Sequence, residues 1–157
     1  MNNPITNIVV AGLGGQGVLK ASDILADLAF RAGLDVKKSE IHGMSQRGGS
    51  VSSDVRFGER VFSPMVPDGE ADYLVVLDET QIEVNRSMLK PGGVLLGPAV
   101  LAGRPLRSRK SINVALMGAL SRHLNFSEQE WTDAILAHLA RHLHETNLEA
   151  FGLGRNA

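Results

Sequence analysis

Apolar and polar residues along this chain alternate in blocks whose period switches between that of a strand and that of a helix. Ile8-Val9-Val10-Ala11 is a continuous, β-branched run ending at Gly12, the pattern of a strand buried on both faces. Beyond a glycine-rich stretch, Val18, Ala21, Leu25, Leu28 and Ala32 recur at helical spacing. Lys20, Asp23, Asp27 and Arg31 fall between them, and Gly33 is the natural stop. Asp35 to Glu40 reads as a second, more exposed strand, so the chain opens as β-α-β, which implies parallel strands and a right-handed crossover. Residues 42–49, HGMSQRGG, carry no periodicity and are expected as a loop.

Val51, Val55 and Phe57 then alternate with Ser52, Asp54 and Arg56, the period of a half-buried strand. Gly58-Glu59 suggests a two-residue turn into a partner strand, Arg60-Val61-Phe62-Ser63, and such an antiparallel hairpin would make the sheet mixed. Residues 63–72, with Pro64, Pro67 and Gly69, predict an ordered loop, and Tyr73 to Leu77 a buried strand. A modest helix is expected from Thr80 to Leu89, stopped by Pro91-Gly92-Gly93, with Val94-Leu95-Leu96 as a further strand. No period emerges between Gly97 and Lys110. Residues 112–124 are apolar nearly all round, a buried helix. Ser127 and Glu130 form a capping box for a last long helix with Trp131, Ile135, Leu139 and Leu143 on one face. No repeat, low-complexity tract or linker interrupts the pattern. The expected fold class is α/β: one three-layer, Rossmann-like domain over residues 1–157, its sheet mostly parallel with an antiparallel hairpin at one edge.

Composition narrows the function. Sixteen Lys and Arg against 17 Asp and Glu leave a net charge of −1, which offers no field for nucleic acid or an anionic membrane. No apolar run approaches the roughly 18 residues of a membrane span. MNNPITN lacks the basic start and apolar stretch of a signal peptide, so a cytoplasmic protein is expected. There are 0 cysteines, so the chain supplies no disulfide, no thiolate zinc site, no cysteine nucleophile and no thiolate for an iron–sulfur cluster. Redox chemistry would need a bound cofactor or another subunit.

Gly12-Leu13-Gly14-Gly15-Gln16-Gly17 fits G-x-G-x-x-G between a strand and a helix. Glycines permit a tight turn and close approach of a ligand, while the first helical N–H groups point at an anion. Glu40, near the end of the second strand, stands where a ribose-binding acid would in a dinucleotide fold. The same glycines would equally serve strand–helix packing or docking of another chain's backbone. The loop His42-Gly43-Met44-Ser45-Gln46-Arg47-Gly48-Gly49 sets an imidazole, an amide, a guanidinium and a hydroxyl at the same carboxyl edge. Arg47 could fork onto a carboxylate or phosphate, His42 could hydrogen-bond a substrate or orient a partner group, and Met44 offers a soft apolar contact. Ser45 lacks a visible His–Asp relay, so no nucleophile is expected there. Asp78 and Glu79 end a strand at this edge, where an acid could hold ribose or Mg²⁺ or cap the next helix. His138 and His142, at i and i+4 with Glu145 nearby, find no third metal ligand and read as edge-of-core histidines. Arg104, Arg107, Arg109 and Lys110 read as a solvated loop that could also meet coenzyme A phosphates or an acidic partner.

GLGGQGVLKASDILADLAFRAG followed by SEIHGMSQRGGSVSSDVRFGERVFSPMVPDGEADYLVVLD resembles the gamma-type domain of the 2-oxoacid:ferredoxin oxidoreductases, and most of all the small-subunit branch of the indolepyruvate enzymes. The likeness runs from residue 5 to about 97 and resumes at NVALMGA (113–119) and NLEAFGLG (147–154). The pairing of GLGGQG with HGMSQRGG is far more specific than either glycine motif alone. The resemblance implies a site-completing subunit of an enzyme that decarboxylates a 2-oxoacid (arylpyruvates in this branch), forms an acyl-CoA and passes electrons to ferredoxin. It places thiamine diphosphate, Mg²⁺ and the iron–sulfur clusters on a large partner subunit and makes coenzyme A a co-substrate. Gly12, Gly14, Gly15, Gln16, Gly17 and His42 to Gly49 would face that partner or coenzyme A, with no catalytic residue on this chain. The segment between Gly97 and Asn113 is shorter than the family's, which implies a smaller sheet. The alternative is a stand-alone dinucleotide-binding protein using Gly12 to Gly17 and Glu40.

Overall fold

The apolar run Ile8–Ala11 forms the middle of the central strand and is entirely buried, because chain lies over both faces of the sheet at this point. A computed structural model describes residues 4–42 and 49–157. Among these, β1 (Ile5–Leu13), β2 (Asp35–His42), β3 (Ser50–Gly58), β4 (Ala71–Val76) and β5 (Leu89–Leu96) form one sheet in the order β2-β3-β1-β4-β5. β4 runs parallel to both β1 and β5, while β3 is antiparallel to its two neighbours, β1 and β2. The fold is α/β with a mixed five-stranded sheet.

The register sorts side chains onto the two faces. Ile8, Val10, Val55 and Val75 join the larger core, which α1 (Val18–Arg31), α3 (Ile112–Ser121), α4 (Glu128–Ala137) and α5 (His144–Arg155) complete with Leu25, Met117, Trp131 and Phe151. Val9, Leu74 and Val76 face the other way and pack with Val66, Ile82 and Met88. That second face is covered by an irregular segment and a single short α-helical turn, α2 (Ile82–Asn85). α1 ends as its pattern predicts. Gly33 takes φ +83, its N–H bonds to the Phe30 carbonyl and that of Leu34 to the Ala29 carbonyl, the paired closure that glycine at this position permits.

Four sequence expectations need correction. β1 and β2 share a direction but are not neighbours, because β3 is inserted between them. Arg60 to Ser63 is not a strand: β3 is paired along both edges, by β1 and β2, so no edge is left for a hairpin partner. The antiparallel pair at the sheet margin is instead β2 with β3. Residues 79–88 are two 3₁₀ turns around α2 rather than one helix, and Leu89 already starts β5, with Pro91 and Gly92 (φ +79) inside it. An edge strand tolerates that proline because one side needs no donor. The final helix is also broken. α4 opens on the expected capping box, Ser127 with Glu130, but ends at Ala137, and α5 starts afresh at His144.

Candidate functional site

The site region lies where β1 ends and α1 begins, beside the ends of β2 and β4 and the start of β3. Gly14 N–H donates to the Gly49 carbonyl at 2.9 Å, joining the two sequence motifs at one edge of the sheet. The register agrees, with Leu13 opposite Ser50, Gly12 opposite Val51, and His42 opposite Val51 on the other side of β3. Of the second motif, the backbone of His42 and Gly49 belongs to the described residues. Gly43, Met44, Ser45, Gln46, Arg47 and Gly48 lie outside them.

The glycines of the first motif have unlike reasons to be glycine. A Cβ on Gly12 would stand 2.9 Å from Gln16 Oε1 and 3.1 Å from Leu77 Cβ, so Gly12 makes room for this chain's own side chains. Gly17 sits at φ +89, and a Cβ there would stand 2.4 Å from Asn113 Nδ2. That amide donates to the Gly17 carbonyl at 3.3 Å, and its oxygen accepts from Val114 N–H at 2.9 Å. Gly15, at φ +88, has nothing within 4 Å of a would-be Cβ among the described residues. Gly14 and Gly15 are the exposed members of the loop.

Gln16 folds back beneath them. Its Oε1 accepts from Leu13 N–H at 2.7 Å, and its Nε2 donates to Asp78 Oδ2 at 2.8 Å. Asp78 also caps the turn that follows β4, accepting from the Thr80 hydroxyl at 2.6 Å and Thr80 N–H at 3.0 Å. These donors, Thr80 first and Gln16 after it, hold the Asp78 carboxyl below its ordinary pKa. Asp78 is therefore taken up as a cap and a partner for Gln16, while Glu79 begins the exposed turn beyond it. Ser50 Oγ donates to the buried Gln81 side chain at 2.7 Å, tying β3 to the same turn.

A cavity of about 400 Å³ opens against the loop, lined by Leu13, Gly14, Gly15, Gly17, Val18, Leu19, Lys20 and Val51. Its walls are mainly apolar. α1 has no side-chain cap at Gly17 among the described residues and no acidic residue in its first turn, so the first-turn N–H groups, which lack intrahelical partners, and the nearby Lys20 leave this end positive. The arrangement suits a ligand with an apolar body and an anionic group. Sequence reasoning missed Lys20, Val51 and Asn113 as parts of this site. Lys20 and Val51 looked like ordinary positions of a helix and a strand, and Asn113 is 96 residues from the loop it supports.

Other candidates are placed elsewhere. Glu40 is on β2, a full strand away from β1, and its carboxylate pairs with Lys38 Nζ at 2.8 Å. His138 Nε2 meets Asp27 Oδ2 at 3.1 Å, linking the end of α4 to α1, whereas His142 sits in the turn beyond the helix break. Arg107 is engaged with Glu149 and Glu145, and Arg104, Arg109 and Lys110 are exposed.

Residues 7–111 match the family model described as pyruvate ferredoxin/flavodoxin oxidoreductase. Among curated relatives, the indolepyruvate oxidoreductase subunit IorB of Thermococcus kodakarensis is 47% identical over 89 residues, 57% of this chain and 44% of that protein. The corresponding subunit of Pyrococcus horikoshii is 38% identical over 132 residues, 83% of this chain and 63% of that protein. The matched region thus spans about half to two thirds of these relatives. A solved keto/oxoacid ferredoxin oxidoreductase gamma subunit from Geobacter sulfurreducens superposes with a TM-score of 0.80 at 24% identity, covering 98% of this chain and 95% of that one. A 2-oxoglutarate:ferredoxin oxidoreductase from Magnetococcus marinus, solved with 2-oxoglutarate, coenzyme A and succinyl-CoA, gives 0.80 at 23% identity over 99% of this chain and 31% of that one. At such identities the likeness to both structures is one of fold.

Proposed function

Because the chain belongs to the pyruvate ferredoxin/flavodoxin oxidoreductase family, we propose that it is the small, gamma-type subunit of a 2-oxoacid:ferredoxin oxidoreductase of the indolepyruvate or arylpyruvate type. Residues 1–157 form one Rossmann-like domain in this reading. The reaction is oxidative decarboxylation of a 2-oxoacid to an acyl-CoA, with electrons leaving to ferredoxin. The observation that carries the proposal is the joining of GLGGQG to the HGMSQRGG segment through the Gly14–Gly49 hydrogen bond, in a chain 47% identical to an indolepyruvate oxidoreductase subunit over 89 residues. With 0 cysteines, the chain has no thiolate to give an iron–sulfur cluster. The clusters, thiamine diphosphate and Mg²⁺ then belong to a large partner subunit in the cytoplasm, and thiamine diphosphate supplies the decarboxylation chemistry there.

This chain's part is to complete the site. Gly14 and Gly15 allow close approach of the partner or of coenzyme A. The positive end of α1 with Lys20 favours an anionic group, and the apolar wall of the cavity takes a neighbouring apolar one. His42 and Gly49, which bound the second motif, lie at the same edge of the sheet. No residue here acts as nucleophile or proton-transfer base. The position of Glu40, with β3 between its strand and β1, favours this reading over a stand-alone dinucleotide-binding protein.

Co-expression of the tagged chain with a thiamine-diphosphate-binding large subunit from the same source tests the proposal. The expected outcome is a complex of equal stoichiometry that oxidises indolepyruvate with coenzyme A and a low-potential acceptor, while the chain alone is inactive. Failure to associate, together with tight NAD binding by the isolated chain, would overturn it in favour of the dinucleotide reading.

A further inference from the structure

The Gln16 side chain has a defined polarity. Leu13 N–H can only donate and the Asp78 carboxylate can only accept, so the amide oxygen must face Leu13 and the nitrogen must face Asp78. Gly12 is left without a side chain at the point where Gln16 Oε1 passes, 2.9 Å from a would-be Cβ. Asp78 is itself fixed by the backbone N–H and hydroxyl of Thr80. The exposed pair Gly14–Gly15 is therefore suspended between the end of β1 and the end of β4 by a chain of directed hydrogen bonds, and its own backbone has the freedom of glycine. Neither Gln16 nor Asp78 is among the residues lining the cavity.

We infer that Gln16 and Asp78 are a positioning pair: their hydrogen bond holds Gly14 and Gly15 in the conformation that the partner or coenzyme A meets, and neither side chain touches that ligand. The inference rests on the subunit reading above. It also reassigns Gln16, which the motif alone places among the ligand-facing residues, and Asp78, which the strand end offers as a ribose or Mg²⁺ ligand.

Reversing the polarity of the bond provides the test. Gln16→Glu sets a carboxylate against the Asp78 carboxylate, and Asp78→Asn sets an amide NH₂ against the Gln16 NH₂ or breaks the Thr80 cap. With both changes, the new carboxylate still accepts from Leu13 N–H and now also accepts from the new amide at position 78, whose oxygen still accepts from Thr80. Two quantities are measured for wild type, both single variants and the double variant. One is hydrogen exchange of the Leu13 amide in the full chain, and the other is kcat/KM of the reconstituted complex with coenzyme A. Each single variant is expected to speed Leu13 exchange and to lower kcat/KM by about tenfold, as loss of a charge-assisted hydrogen bond implies. The double variant is expected to recover both to within about threefold of wild type. The inference is overturned if the single variants keep wild-type kcat/KM, whatever happens to Leu13, or if the double variant is no better than the worse single one. If wild-type chain forms no active complex, the subunit reading fails instead, and Leu13 exchange still reports on whether the strut exists.

Discussion

Gly12, Gly15 and Gly17 sit within six residues and answer three different physical demands. Gly12 yields space to Gln16, Gly15 supplies a left-handed backbone that no described residue crowds, and Gly17 combines a left-handed backbone with contact against Asn113. Their substitution costs should differ accordingly. Gly15→Ala meets only the left-handed penalty, about 1 kcal/mol. Gly17→Ala meets that penalty and also displaces the Asn113 amide, so it should cost about 2–3 kcal/mol. Urea unfolding of the two variants measures the difference, and equal costs would mean that Asn113 gives way freely. A motif states that glycine is needed, and only the fold states why. The strand–glycine–helix pattern showed where the chain turns tightly between β1 and α1. It could not show that two of its glycines make room for Gln16 and for a buried asparagine 96 residues along the chain.

At the scale of elements, α3 and α5 pack closely enough to depend on glycine. A Cβ on Gly118 would lie 2.1 Å from the Phe151 carbonyl oxygen, and one on Gly154 would lie 1.7 Å from that of Ala115. The helices thus touch backbone to backbone, and no rotamer change can relieve an added methyl. Gly118→Ala or Gly154→Ala should cost about 3 kcal/mol or more, because the helices must separate. Gly152→Ala, on the same helix but with nothing within 4 Å, should stabilise by about 0.5–1 kcal/mol through helix propensity. Thermal unfolding of the three variants decides whether the contact or the propensity governs. This contact also explains why the last helix was misread. Apolar residues from Trp131 to Leu143 keep helical spacing, but one straight helix could not carry residues 144–155 back onto α3. The chain turns instead after Ala137, with the His144 ring held on the Leu139 carbonyl at 2.9 Å and His138 on Asp27. The capping box was legible because both its partners lie within one turn of each other, whereas the break is set by packing between distant segments.

For the molecule as a whole, the two faces of the sheet are covered by unlike means. Helices cover one, and part of the other lies under an arch, residues 61–66, tied down by three strand side chains. Asp35 accepts from Val61 N–H at 2.8 Å, Arg56 donates to the Ser63 carbonyl at 2.8 Å, and Asp54 accepts from Val66 N–H at 2.9 Å. Val61 and Val66 are buried at the ends of the arch, and Phe62 and Met65 stand exposed between them. The alternation of β3 separates Asp54 from Val55 and Phe57, but period alone cannot tell a solvated face from one roofed by a loop, and Asp54 is only 3% exposed. Burial pushes its carboxyl above the ordinary pKa, against the opposing pull of Val66 N–H and the charge of Arg56, with Asp68 adding a small push upward. Asp35 is held below its ordinary value, chiefly by Val61 N–H. The signs therefore oppose. Asp54 contributes most below its unfolded pKa and loses that contribution as pH rises through its raised folded value. Asp35 and Asp78 contribute above their unfolded values and lose it as pH falls through their depressed ones. At neutral pH Asp54 is thus a charge that the fold would be better without, provided the Val66 N–H keeps an acceptor. Asp54→Asn supplies one in its amide oxygen. This variant should be more stable than wild type at about pH 7, with the gap closing as pH falls toward about 4 and the wild-type carboxyl takes up its proton. Denaturant unfolding of both proteins across that range measures the gap. A difference that stayed constant with pH would mean that the arch leaves Asp54 solvated as a charge, and that the second face of the sheet is less closed than its burial implies.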